Sequence, residues 1–91
     1  MVYEKKVTVQ NESGLHARPA SLFVKEASKF KSEIMILYDD KEVQAKSILG
    51  VMSLGAKQGS SIVLKARGDD APAAVEELAL FIEKKLVEED T

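Results

Sequence analysis

Apolar and polar residues alternate at the start of this chain, and a few residues later the apolar ones recur every three or four positions. Val7 and Val9 fall on one side of the run from Val2 to Val9, with Lys6 and Thr8 on the other. A period of two predicts a half-buried strand. Ala20, Phe23, Val24, Ala27 and Phe30 follow at helical spacing, which predicts an amphipathic helix from about Ala17 to Phe30. Its polar side is Ser21, Lys25, Glu26, Ser28 and Lys29. Glu33 to Tyr38 reads as a second strand with Ile34 and Ile36 inward. Lys41 to Ala45 reads as a third with Val43 inward. The short Asp39–Asp40 link makes these two a hairpin.

Ser47 to Gly55 is apolar but interrupted by Gly50. It predicts a short helix capped by Ser47 and closed at Gly55. Gly59 and Gly68 bracket a fourth strand, Ser61 to Arg67, with Ile62, Leu64 and Ala66 inward. Asp69 or Asp70 caps the last helix, and Pro72 lies in its first turn. Ala71, Val75, Leu78, Ile82 and Leu86 form its buried stripe, and Glu88 to Thr91 are expected to fray. The order β-α-β-β-α-β-α predicts an α+β sandwich, with helices over one face of an antiparallel sheet. At 91 residues the chain is expected to be a single domain over 1–91.

Composition narrows the function. There is no cysteine and one histidine, so neither a disulfide framework nor a metal site is expected. No apolar run approaches the roughly 20 residues that span a bilayer, and the N-terminus lacks an apolar signal core. Membrane insertion is therefore not expected. The net charge of -2 counts against direct nucleic-acid binding. So does the predicted open face of Lys6, Thr8, Met35, Leu37, Val63 and Lys65, which has no aromatic residue for base stacking. A metabolite-binding domain would need a pocket of convergent polar residues, and none stands out beyond the surroundings of His16.

That histidine sits in Gly14-Leu15-His16-Ala17-Arg18-Pro19-Ala20, at the expected N-cap of the first helix. First-turn N–H groups have no intrahelical acceptor and favour an anion. Pro19 gives up one such donor at little cost, while those of Ala17 and Arg18 remain. Arg18 adds a guanidinium fork that matches phosphate oxygens. A neutral imidazole there could attack a phosphoryl group and carry it as phosphohistidine. The residues alone leave a second reading open, with His16 as a helix cap and Arg18 as a solvated charge.

Two motifs resemble a known family, the histidine-containing phosphocarrier (HPr) family of the phosphoenolpyruvate-dependent sugar phosphotransferase system. One is the His16 stretch with Phe23-Val24 after it. The other is Lys46-Ser47-Ile48-Leu49-Gly50-Val51-Met52-Ser53-Leu54-Gly55. Leu49 stands where the family more often has methionine, a conservative difference. The resemblance implies an open-faced β-sandwich of four antiparallel strands and three helices. It implies that His16 takes phosphate from enzyme I on its δ nitrogen and passes it to enzyme IIA domains, with Arg18 stabilising the phosphate. It implies no cofactor, a cytoplasmic location, a monomer, and a stoichiometric carrier rather than an enzyme. Ser47 matches a serine that HPr kinase/phosphorylase modifies in one branch, whose phosphorylated form is a corepressor for a catabolite-control transcription factor. Some members replace the histidine and keep only the regulatory role. His16 favours the carrier, while a non-sugar or regulatory branch stays the alternative.

Physically, the second motif holds more apolar side chains than one short helix can bury. Val51 and Leu54 are expected inside. Ile48, Leu49 and Met52 are expected to form an exposed patch of the kind that marks a partner site; the resemblance implies that this surface, with the first helix at Ala20, docks enzyme I and the enzyme IIA domains.

Overall fold

A computed structural model of the chain describes residues 1–89. The elements are β1 (Val2–Thr8), α1 (Ala17–Ala27), β2 (Glu33–Tyr38), β3 (Lys41–Gln44), α2 (Ile48–Ser53), β4 (Ser61–Arg67) and α3 (Ala71–Leu80). A π-helical segment (Phe81–Lys85) and α4 (Leu86–Glu89) continue α3 without a break. The strands form one sheet in the order β1-β4-β2-β3, antiparallel throughout. The last strand thus sits inside, and the first is an edge.

Register explains the two faces. Val63 pairs with Lys6 on one side and Leu37 on the other. These positions lie on the uncovered face. One residue along, Leu64 pairs with Ile36, and both are fully buried with Val7, Ile34, Ile62 and Ala66. Phe23, Ala20 and Ala27 of α1 and Ala74, Val75 and Leu78 of α3 complete that core. The architecture is the open-faced α+β sandwich that alternation and helical stripes had implied.

Element ends differ in instructive ways. Helix α1 stops at Ala27, three residues before Phe30. Ser28 turns both its N–H and its hydroxyl onto the Val24 carbonyl, at 2.9 and 2.8 Å, a local bond that competes with helix continuation. Val24, Phe30 and Val43 are half-buried at the core's margin rather than within it. Strands β1 and β3 end one residue early, although Val9 and Ala45 still donate to Ser60 and Ile34.

The last helix is not uniform. Its buried residues Leu78, Ile82 and Leu86 are spaced four and four, which overruns a 3.6-residue turn. A π-helical stretch, with its wider i→i+5 turn, brings Leu86 back to the buried side. Glu88 and Glu89 are helical rather than frayed, because buried Leu86 anchors their turn; Asp90 and Thr91 lie outside the described residues.

Two carboxylates tie the layers together. Asp70 occupies the N-cap position of α3, yet its side chain does not cap that helix. It accepts from the N–H groups of Lys31 and Ser32 at 2.8 and 2.9 Å, and from the Ser32 hydroxyl. Glu76 of α3 accepts from Tyr3 Oη at 2.6 Å and pairs with Lys5 Nζ at 2.8 Å, fixing β1 to the helix layer. These bonds hold both carboxyl groups below their ordinary pKa, through Ser32 first for Asp70 and Lys5 first for Glu76.

A carboxylate with a depressed folded pKa binds fewer protons folded than unfolded. Its stabilisation is full above the unfolded value, near pH 4, and is lost as pH falls through the folded value. We expect Asp70→Asn to lower the melting temperature at pH 7 and to flatten its decline below about pH 4. Thermal unfolding followed by circular dichroism across pH 2–7 measures both.

Candidate functional site

The site begins with a buried asparagine. Asn11 is 1% exposed, and its Nδ2 donates to the Gly14 carbonyl at 2.8 Å. The Gly14 N–H returns to the Asn11 carbonyl at 3.1 Å. This closed loop holds Gly14 at φ 67, a conformation glycine adopts without steric cost. Space also demands glycine: a Cβ there would overlap the Ala56 carbonyl oxygen and lie 2.9 Å from Lys57 Cα. The next residue, Leu15, is buried and donates its N–H to Ala56 at 3.0 Å. The chain entering α1 is thus clamped to the loop that follows α2.

His16 emerges from that clamp as the N-cap of α1, with φ -92 and ψ -169. Its carbonyl accepts from Ala20 at 2.7 Å, the first bond of the helix. Its side chain makes no capping hydrogen bond, so the imidazole is exposed and not spent on the helix. Ala17 and Arg18, both exposed, are the first two helical residues. Their N–H groups are first-turn donors without intrahelical acceptors. Pro19 is buried as the third helical residue and has no N–H to satisfy.

The Arg18 side chain is 74% exposed and lies 3.8 Å from the Glu89 carboxylate of α4. Sequence reasoning missed Glu89, which is far away in the chain and reached only through the phase of the last helix. An exposed pair of this kind contributes less than about 1 kcal/mol. A phosphate, with roughly -1.5 to -2 charges and oxygens matched to the guanidinium fork, would displace it.

Helix α2 starts differently. Its N-cap Ser47 accepts from the Gly50 N–H at 3.0 Å, as expected. Leu49 is 80% and Ile48 43% exposed, while Val51 and Leu54 are buried. Met52 is half-buried and lines a depression of about 210 Å³ together with His16. Ile48 and Leu49 are thus exposed as expected, whereas Met52 packs partly against the core. Ala20 does not belong to the expected patch: its side chain is wholly buried in the core. The exposed residues at this end of α1 are Ala17 and Ser21.

Residues 3–84 match the PTS-HPr family model, described as the PTS HPr component phosphorylation site. The chain belongs to the HPr family. It is 54% identical over 82 residues to the HPr-like protein Crh of Halalkalibacterium halodurans, covering 90% of this chain and 98% of that one. It is 47% identical to the phosphocarrier protein HPr of Buchnera aphidicola, covering 89% and 95%. The crystal structure of HPr from Thermoanaerobacter tengcongensis superposes with a TM-score of 0.88 at 50% identity, covering 92% and 94%. The Crh of Bacillus subtilis, seen as a swapped dimer, gives 0.75 at 44% identity, covering 90% and 94%. The HPr fold is thus present throughout the matched region. The general role is that of a phosphocarrier-family protein, a carrier rather than a catalyst.

Gly14→Ala should destabilise the fold by about 2 kcal/mol or more, from positive φ and overpacking together, as read by urea denaturation. Glu89→Gln should change stability by less than about 1 kcal/mol in the same assay.

Proposed function

We propose that this protein accepts a phosphoryl group from phosphorylated enzyme I on His16 and delivers it to sugar-specific enzyme IIA domains. The observation that carries this reading is the His16 imidazole, exposed at the start of α1 and free of any capping bond. In the first transfer Nδ1 of His16 attacks phosphorus and a new N–P bond forms. The donor's bond to phosphorus breaks, and its electron pair stays on the donor nitrogen. The phosphoryl oxygens rest against the N–H groups of Ala17 and Arg18 and the Arg18 guanidinium. These contacts are few and open to solvent, which suits a group that must leave again. The second transfer reverses the same steps toward the enzyme IIA nucleophile.

Ile48, Leu49 and Met52 form the docking surface in this reading, beside Ala17. Ser47 at the α2 N-cap is its switch. A phosphate at a helix N-terminus is tolerated by the helix, yet sets roughly -1.5 to -2 charges beside the patch. Modification by HPr kinase/phosphorylase would weaken docking to enzyme I by charge, and the modified form would bind a catabolite-control transcription factor. The carrier works as a cytoplasmic monomer, with β1 tied within its own chain to Glu76 and to Glu83, whose carboxylate accepts from the Thr8 N–H.

The second reading is a regulatory or non-sugar paralogue, favoured by the 54% identity to an HPr-like protein Crh. Retention of His16 supports the carrier over it.

Incubation with phosphoenolpyruvate and enzyme I should place acid-labile phosphate on the wild type and none on His16→Ala. Absence of label on the wild type would refute the transfer. Ser47→Asp should slow labelling by about tenfold, the scale of one lost charge-assisted contact; unchanged rates would sink the switch.

A further inference from the structure

We infer that Lys57 is a second cationic contact for the phosphoryl group on His16, opposite Arg18. The inference rests on the carrier reading of His16 and names a residue that reading does not use.

Lys57 lines the same depression as His16, together with Leu15, Met52 and Ala56. Among the residues that line it, Lys57 carries the only formal charge. The depression beside the imidazole is therefore of one sign, and that sign complements a phosphoryl dianion.

This placement is fixed by the backbone rather than left to a mobile loop. The Gly14 backbone lies close against Ala56 and Lys57, with no room for a Cβ between them. Leu15 holds Ala56 by its N–H, and a tight turn follows. In that turn Lys57 donates its N–H to Ser60 Oγ at 2.9 Å and accepts from the Ser60 N–H at 2.9 Å. The start of the Lys57 side chain is thus held next to the entry of α1. Among the described residues, its ammonium takes part in no ion pair. Arg18, by contrast, is already engaged by Glu89 on its own side.

A phosphoryl group on nitrogen presents three oxygens. The first-turn N–H groups and the Arg18 fork approach from the helix. Lys57, a compact charge on a flexible stem, meets the group from the depression. It donates hydrogen bonds and transfers no proton. The N–P bond to His16 forms as the donor's bond to phosphorus breaks, with the electron pair left on the donor. The ammonium meets charge on the phosphoryl oxygens as the group passes across.

The test uses two donors on the intact protein: phosphorylated enzyme I, and phosphoramidate, a small donor with no docking surface. Label on His16 is followed by phosphorus NMR in wild type, Lys57→Gln, Lys57→Arg and His16→Ala. Lys57 is exposed, so the variants keep the fold, which circular dichroism checks. Lys57→Gln should slow labelling by both donors roughly threefold to tenfold at low salt, with a smaller deficit at high salt. Lys57→Arg should restore most of the rate. Rates within twofold of wild type with phosphoramidate would overturn the inference. So would a deficit confined to enzyme I, because that reports docking. Failure of enzyme I to label the wild type would refute the carrier reading, while the phosphoramidate arm would still decide the role of Lys57.

Discussion

The close approach of Gly14 to Ala56 and Lys57 is the constraint on which the rest of the site depends. It joins two chain segments more than forty residues apart with a single backbone hydrogen bond, from Leu15 to Ala56, and it admits no side chain at Gly14. Asn11 closes the loop on one side, and buried Leu15 seals it from below. The imidazole of His16 is aimed by this clamp. The same contact sets the start of α1 beside Lys57, which lines one depression with His16 and Met52. Under the proposed transfer, such rigid support limits misplacement of the attacking atom, which is costly in rate.

The two helix starts on this side of the molecule show how one local chemistry serves two ends. Ser47 uses its hydroxyl to satisfy Gly50, so the start of α2 is closed by its own side chain. His16 holds the same position on α1 and makes no such bond. Its first-turn donors are left without a side-chain acceptor, and the ring is not spent on the helix. Around it the charges are held weakly. Glu89 restrains Arg18 at 3.8 Å on a mostly exposed surface, an interaction that guides a side chain without trapping it. Weak restraint fits a carrier whose bound group must be given away.

Two ties between elements lie away from this region. Asp70 and Glu76, the carboxylates with depressed pKa, join the α1–β2 loop and β1 to the start and middle of α3. The core beneath α1 and α3 is apolar. The α2 surface spends its apolar residues the other way, with Leu49 80% exposed.

The sequence by itself determined the strands, the helices and the two motifs. Alternation at Val7, Ile34, Ile36, Ile62 and Leu64 assigns the buried face of the sheet, since side chains of a strand alternate sides. Three- and four-residue spacing does the same for Phe23 and Leu78. Cap and glycine chemistry place His16 and Ser47 at helix starts, because those preferences are local. Tertiary structure alone decided what depends on packing between distant segments. It buried Ala20, as the apolar stripe of the first helix implied, and so took it out of the expected docking patch. It ended α1 at Ala27, where the Ser28 hydroxyl folds back on Val24. It widened the last helix by a π-helical stretch to keep Leu86 inside, and so brought Glu89 to Arg18. It set Lys57 beside His16. No local rule relates such pairs, because their nearness is set by how the layers stack and not by spacing along the chain.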